Sequence, residues 1–286
     1  MRVGIVGGGQ LARMMALSAL PMGIDCSFLL NEHESDSCVK NLGTCVRFTP
    51  NIDFSYIYQQ MEKPDVITIE SEQVNFDWLE KLAKHCLIYP NIEAIKLLKN
   101  RISEKNILNE LNIPTAKHFS FINFSELNEI ANKLNYPFVI KSATEGYDGK
   151  NQYLIKNKDE LKKLTLSNID SGYIAESFIN FKREISFIGV RSSKGEIKFY
   201  SATENTHKNS ILIYSISPAR NLDNDIKKIS EIYLSKLMNH LNYVGVLAME
   251  CFEIENNNES SIIINELAPR VHNSGHWTRN GAATCQ

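Results

Sequence analysis

The stretch Val246-Leu247-Ala248-Met249-Glu250-Cys251-Phe252-Glu253-Ile254, a polar segment Glu255–Ser260, and then Ser261-Ile262-Ile263-Ile264-Asn265-Glu266 read as two strands joined by a hairpin loop. A turn centred on Asn258 sets Ile254 against Ile262, Phe252 against Ile264 and Glu250 against Glu266. Because the pleat has a period of two, all six side chains then share one face. Opposed residues in an antiparallel pair hold their Cβ atoms roughly 4.5–5.5 Å apart, and like charges there destabilise. Two carboxylates beside an apolar cluster therefore require a cation, and a hard ion such as magnesium, itself holding triphosphate oxygens, meets that need. The alternative is a one-residue slip, or one glutamate turned to solvent, since turn length sets register only loosely. The next residues favour the facing pair. Pro269-Arg270-Val271-His272-Asn273-Ser274-Gly275-His276-Trp277 sets an arginine, two histidines and small polar side chains just past the strand end. An anion site beside a metal uses that mixture; a solvated surface does not.

Upstream, Pro137–Ser142 reads as a strand with Lys141 near its end, which places a compact ammonium, suited to phosphate, at the edge of buried structure. The segment Gly146-Tyr147-Asp148-Gly149-Lys150 follows as a loop whose amides can cover phosphates, with a plain hairpin turn as the alternative. Gln152–Ile155 reads as the next strand. Runs at Tyr173–Phe178, Glu184–Arg191, Ile197–Ala202 and Ile211–Ile216 predict an antiparallel sheet, and Ser103–Leu111, Ser125–Leu134 and Leu222–Leu241 predict helices. The run Ile174–Ile179 is a strand whose edge can hydrogen-bond an adenine, and Glu184 can accept from ribose hydroxyls.

The first hundred residues have a different rhythm. Val3–Val6, Ile24–Leu30, Cys45–Phe48, Asp65–Ile69 and Cys86–Tyr89 read as buried strands. Helical stretches at Leu11–Leu20, Ile52–Met61, Phe76–Ala83 and Ile92–Leu98 alternate with them. Such alternation implies a parallel sheet covered on both faces. Gly7-Gly8-Gly9-Gln10-Leu11-Ala12 matches G-x-G-x-x-A between the first strand and helix, a weak dinucleotide signal on its own. A tight turn feeding a packed helix explains it as well as a ligand does.

At 286 residues the chain is long enough for two or three packed units, and 43% hydrophobic with 22% charged residues is ordinary for a soluble globular protein. The formal net charge of -2 gives no basic surface for nucleic acid. No apolar run approaches the ~20 residues that span a bilayer. The opening MRVGIVGGGQ lacks a secretory signal pattern, and the six cysteines form no C-x-x-C pair, so a cytoplasmic protein with reduced thiols is expected.

Several segments resemble the N5-carboxyaminoimidazole ribonucleotide synthetase family of the ATP-grasp superfamily: Gly7–Met14, Gly146–Lys150, Gly245–Phe252 and, above all, Asn265–Thr278. The resemblance runs in order along the whole chain. It implies an α/β pre-ATP-grasp domain over residues 1–98 and an α+β ATP-grasp fold after it. That fold comprises a lid subdomain with its leading helices over 99–175 and a larger antiparallel-sheet subdomain over 176–286. It implies ATP held by Arg101, Lys141, the loop Gly146, Tyr147, Asp148, Gly149, Lys150, Asn151 and Gln152, the segment Glu176, Ser177, Phe178 and Ile179, and by Glu184, His207, Asn265 and Glu266. It implies magnesium on Glu250 and Glu266, and ribonucleotide contacts from Gln10, Glu70, Tyr147, Asp148, Arg270 and His272.

The implied reaction couples ATP and bicarbonate to carboxylation of aminoimidazole ribonucleotide through carboxyphosphate, with Lys141, Arg270 and His272 as the catalytic set and a homodimer as the assembly. Departures from the family pattern are Glu145 and Asn151 where glycines flank the loop, and Asn100 where an aspartate is common. Members continue for about another quarter of their length, so a C-terminal part of the larger subdomain is expected to be missing here. The competing functions are another ATP-grasp ligase such as the formate-dependent glycinamide ribonucleotide enzyme, an NAD-dependent oxidoreductase using the N-terminal glycines, and a non-catalytic nucleotide-binding remnant.

Overall fold

Short apolar strands alternating with amphipathic helices set the first layer. The computed structural model describes residues 1–144, 151–166, 172–208, 211–256 and 259–286. Its first part contains β1 (Arg2–Val6), α1 (Gln10–Ala19), β2 (Asp25–Leu30), β3 (Thr44–Arg47), α2 (Phe54–Gln60), β4 (Val66–Ile69), α3 (Phe76–Leu82), β5 (Leu87–Ile88) and α4 (Ile92–Lys99). The strands form one parallel sheet in the order β3-β2-β1-β4-β5. Its two faces bury separate clusters, one around Ile57, Ile67 and Trp78 and the other around Ala12, Ala16 and Phe28. Burial on both sides explains why these strands are continuous apolar runs rather than alternating ones.

The second part contains α5 (Arg101–Glu110), β6 (His118–Phe121), α6 (Leu127–Leu134), β7 (Phe138–Ser142), β8 (Gln152–Ile155), α7 (Lys158–Lys163) and β9 (Tyr173–Ser177). After them come β10 (Arg183–Arg191), β11 (Ile197–Phe199), β12 (Thr203–Lys208), β13 (Ile211–Ile216), α8 (Asn224–His240), β14 (Gly245–Asn256), β15 (Glu259–Ala268) and α9 (Thr278–Gly281). A four-stranded sheet runs β6-β9-β7-β8, and a six-stranded sheet runs β13-β12-β10-β14-β15 with β11 against β10. Helix α8 covers the larger sheet by burying Ile226, Ser230, Leu234, Leu237 and Met238, a stripe at helical spacing.

Three expectations need correction. The run from Tyr173 joins the smaller sheet beside β7 rather than the sheet of β10 to β13, because the short strand β6, which carries little apolar pattern, pairs with it. β9 is thus central, with Glu176 and Ser177 paired to its neighbours, while Phe178 and Ile179 lie past its end at the cleft. A division of the chain between residues 175 and 176 cuts this strand. Finally, Ile107 and Leu108 of α5 pack into the core of the larger sheet, so this helix belongs to that body by contact rather than to the smaller sheet.

The glycine turn after β1 has a structural explanation. Gly7 sits at φ 112, and a Cβ there would lie 2.5 Å from the Glu70 carboxylate. Glu70 caps α1, accepting from the Gly9 amide at 2.6 Å and the Ala12 amide at 2.9 Å, while Glu34 takes the Gly8 amide at 2.6 Å. A carboxylate on a helix N-terminus is favoured by the same unpaired amides and dipole that would favour a phosphate. The amides a pyrophosphate needs are therefore already occupied, which removes the dinucleotide reading. Glu70, expected at the ribonucleotide, sits at this helix end.

Gly7→Ala combines a left-handed backbone with a blocked side chain and should lower stability by about 3 kcal/mol. Gly23→Ala, at φ 67 with nothing within 4 Å of the added carbon, should cost only about 1 kcal/mol. Denaturant unfolding of the two variants measures the difference; equal losses would contradict the role given to Glu70.

Candidate nucleotide and metal site

The hairpin β14–β15 carries the site, and its register explains how. Near the turn, Asn256 pairs with Glu259 and Ile254 with Ser261, one residue out of step with a turn centred on Asn258. Phe252 lies opposite Ile263 and Cys251 opposite Ile264, so the expected pairings of Phe252 with Ile264 and Ile254 with Ile262 are not formed. A bulge then absorbs the extra residue, Asn265, and Glu250 meets Glu266 as expected. The slip and the bulge cancel at the carboxylates. Ile262 and Ile264 consequently turn to the core with Cys251, while Glu250 and Phe252 face a cleft of about 320 Å³.

Lys141, near the end of β7, is buried and donates to Glu176 Oε2 at 3.0 Å and to the bulged Asn265 side chain at 3.1 Å. It thus ties the small sheet to the hairpin. Glu176 is buried as well; burial alone would raise its carboxyl, but Lys141, with Lys105 and Arg101 further off, holds it down at about 2. Arg101 donates to the Ser142 carbonyl at 3.0 Å and lies 3.8 Å from Glu266. Ahead of it, Asn100 caps α5 by accepting from the Ile102 amide at 2.9 Å and the Ser103 amide at 3.3 Å. Asparagine caps as well as aspartate, so that departure from the family pattern leaves the helix start intact. Asn151 adopts φ 57, a left-handed conformation that asparagine tolerates better than most residues, so its own backbone accommodates the replacement of a glycine.

Glu184 and His207 face each other across β10 and β12 and form a hydrogen bond. That bond raises the His207 ring above its ordinary value, with burial opposing and the Glu184, Glu250 and Glu266 charges adding. His272 is buried and joins Glu250 through Nε2 at 3.0 Å. Its Nδ1 accepts from the Ser274 amide at 3.3 Å, which leaves the ring proton on Nε2 to be donated to Glu250. Burial would raise Glu250, but this bond, with His207 and the Arg270 charge nearby, holds it below the usual carboxylate range. His272 thus orients a carboxylate, a role not assigned to it from sequence.

Arg270 donates through Nε to Glu72 at 2.6 Å, with its Nη2 3.5 Å from the second carboxylate oxygen. One edge of the guanidinium is therefore held by Glu72. Glu72, not Glu70, is the acid of the first domain that lines the cleft. Glu70 and Glu72 both follow the end of β4, two residues apart, and that spacing was the one available signal. Asn151, Gln152, Ser177, Phe178 and Ile179 line the cleft too, and Phe181 stacks on Phe252 at 4.5 Å to give it an aromatic wall. Gln10 is exposed at the start of α1. Gly146, Tyr147, Asp148, Gly149 and Lys150 lie outside the described residues.

Among the described residues no group of three or more histidine, cysteine or acidic side chains is placed to cage a metal. Glu250 and Glu266 are two carboxylates at an open cleft. That donor set fits magnesium, which is usually bound by one or two carboxylates plus substrate phosphates and water.

The buried Lys141–Glu176 pair generates a pH signature. The folded value of Glu176, about 2, lies below its ordinary 4.5. Its interactions contribute roughly 3 kcal/mol, present above about pH 4.5 and lost as pH falls towards about 2. Glu176→Gln should forfeit this contribution at neutral pH, and its deficit relative to the unsubstituted protein should shrink over that acid window. Urea unfolding at several pH values tests it; a pH-independent deficit would contradict the pairing.

Comparison with known proteins places this geometry. Residues 1–99 match the ribonucleotide synthetase preATP-grasp domain and residues 106–286 the ATP-grasp domain. The chain is 34% identical over 286 residues to the N5-carboxyaminoimidazole ribonucleotide synthase of Pseudomonas aeruginosa, covering 100% of this chain and 77% of that protein. The N5-carboxyaminoimidazole ribonucleotide synthetase of Thermus thermophilus superposes with a TM-score of 0.87 at 33% identity, over 99% of this chain and 75% of that one. The Aspergillus clavatus synthase, solved in complex with ADP and 5-aminoimidazole ribonucleotide, gives 0.81 at 28% identity, over 97% and 72% of the two chains. A cleft built on a bulged carboxylate hairpin, a buried strand-end lysine and a parallel-sheet first domain, matched end to end in this way, makes the chain a member of the N5-carboxyaminoimidazole ribonucleotide synthase family of ATP-grasp ligases.

Proposed function

We propose that this chain uses ATP and bicarbonate to carboxylate the exocyclic amine of 5-aminoimidazole ribonucleotide, releasing ADP and phosphate. The observation that carries the reading is the meeting of Glu250 with Glu266 across β14 and β15, with Asn265 held by Lys141, in the cleft shared with Arg270. Glu250 and Glu266 would hold magnesium, which when bound neutralises phosphate charge as it shifts to the leaving ADP. Lys141 supports the triphosphate as a fixed ammonium, already oriented by Glu176 and Asn265. The aromatic wall of Phe181 and Phe252, with Phe178 and Ile179, offers an apolar slot for the base.

Bicarbonate oxygen attacks the terminal phosphorus, the bond to ADP breaks, and carboxyphosphate results. The amine then takes the carboxyl carbon and phosphate leaves. Arg270, with one edge committed to Glu72, contributes a stationary positive charge near the anion rather than a bidentate grip. Glu72 fixes the direction of that charge, and His272 fixes Glu250. Carboxyphosphate is short-lived in water, so the cleft must exclude solvent during transfer. The assignments of Tyr147 and Asp148 to the ribonucleotide, of a homodimer and of a cytoplasmic location rest on the family resemblance. Among the described residues no helix is long and apolar enough to cross a membrane.

The direct assay is ADP release. It should require both aminoimidazole ribonucleotide and bicarbonate for full rate; release that ignores the ribonucleotide, or strict dependence on formate, would overturn the reading. Glu266→Ala should reduce turnover by about 100-fold or more, while circular dichroism and the unfolding midpoint stay near those of the parent. Retained turnover would refute the metal assignment.

A further inference from the structure

Two adjacent charged residues on α5 are buried where packing alone would favour apolar ones. Glu104 is 2% exposed and Lys105 0% exposed. Burying an ammonium costs several kcal/mol unless its donors are matched, and here all three are. Lys105 Nζ donates to the Asn265 carbonyl at 2.6 Å, the Ile264 carbonyl at 3.3 Å and the Thr115 hydroxyl at 2.8 Å. The Thr115 hydroxyl in turn donates to the Ile264 carbonyl at 2.9 Å. Glu104 Oε2 accepts from the Leu267 amide at 2.9 Å.

These partners are the backbone groups of residues 264, 265 and 267, on either side of the step at which β15 changes register against β14. Without an outside acceptor and donors, the shortest route to satisfied backbone groups is to slide the bulge out of the strand. Sliding it by one residue moves Glu266 off Glu250 and turns Asn265 away from Lys141. We propose that Glu104 and Lys105 are positioning residues that clamp the Asn265 bulge from beneath and so set the geometry of the metal-holding carboxylate pair. Glu104 borders the cleft and Lys105 lies behind it, but the bonds named run only to the strand backbone and Thr115, and the inference rests on the reading of Glu250 and Glu266 as metal ligands.

The test is ADP binding by the full chain, measured calorimetrically with and without magnesium. In Lys105→Met, of similar length but unable to donate, the gain in affinity on adding magnesium should fall about ten-fold or more. Metal-free ADP affinity should stay within about two-fold, and thermal unfolding should remain cooperative. An unchanged magnesium gain, or an equal loss with and without the metal, overturns the proposal. If Lys105→Met does not fold, Thr115→Val carries the test, with an expected loss of about three-fold in the magnesium gain; no loss overturns it. Glu266→Ala serves as the reference. A gain lost in Glu266→Ala but kept in Lys105→Met sinks this inference alone, whereas a gain kept in Glu266→Ala sinks the metal reading beneath it.

Discussion

One residue too many in β15 is the constraint on which the site depends. The turn sets the hairpin a residue out of step, and the bulge at Asn265 restores it only at Glu250 and Glu266. The consequence is a division of labour along the strand. On the turn side, Ile262 and Ile264 are buried with Cys251 in the core. At the bulge, the Asn265 side chain reaches Lys141 on a different sheet. A bulge that re-aims a side chain and bends the strand is a common device beside active sites. Here it joins the core of the larger sheet to the strand that carries the buried Lys141.

The electrostatics follow the same economy. Lys141 faces Glu176, Arg270 faces Glu72, and His207 faces Glu184, so cations that would hold a nucleotide or anion are already aligned. Each pair keeps a charge in low-dielectric surroundings without leaving it uncompensated. Two carboxylates are placed against each other instead, with His272 supporting one and Arg101 near the other. Like charges so placed are a poor arrangement for an empty protein and a good one for a divalent cation. A site of this kind is organised before its ligands arrive, which is what charge stabilisation in phosphoryl transfer demands.

Much of this was legible in the sequence because the patterns involved are local. Strand–helix alternation over the first hundred residues predicted the parallel sheet, and the hairpin spacing placed Glu250 opposite Glu266, an outcome that holds only because a slip and a bulge it did not show cancel there. What was not legible depends on contacts distant in sequence. β6 is only four residues long, yet it makes β9 a central strand and leaves only Phe178 and Ile179, past the strand end, of the segment expected at adenine without a β-sheet neighbour. The burial of Lys105, and its capture of carbonyls some 160 positions away, leaves no trace in helical periodicity. Glu70 and Glu72 are two residues apart and chemically alike; only the approach of α1 to Glu70 decides which one caps a helix and which one holds Arg270. The glycine-rich turn was ambiguous for a related reason. Its glycines make room for a carboxylate of the protein itself, and the pattern for that is the pattern for a phosphate.

The family relationship gives the chemistry, and the hairpin gives it a place in this chain. The most direct measurement is anomalous diffraction from crystals grown with manganese and a non-hydrolysable ATP analogue. The account predicts a manganese peak within coordination distance of one oxygen from Glu250 and one from Glu266, with the analogue's phosphates completing its shell. A peak held by other protein groups, or a nucleotide bound with its phosphates turned away from the hairpin, would contradict it.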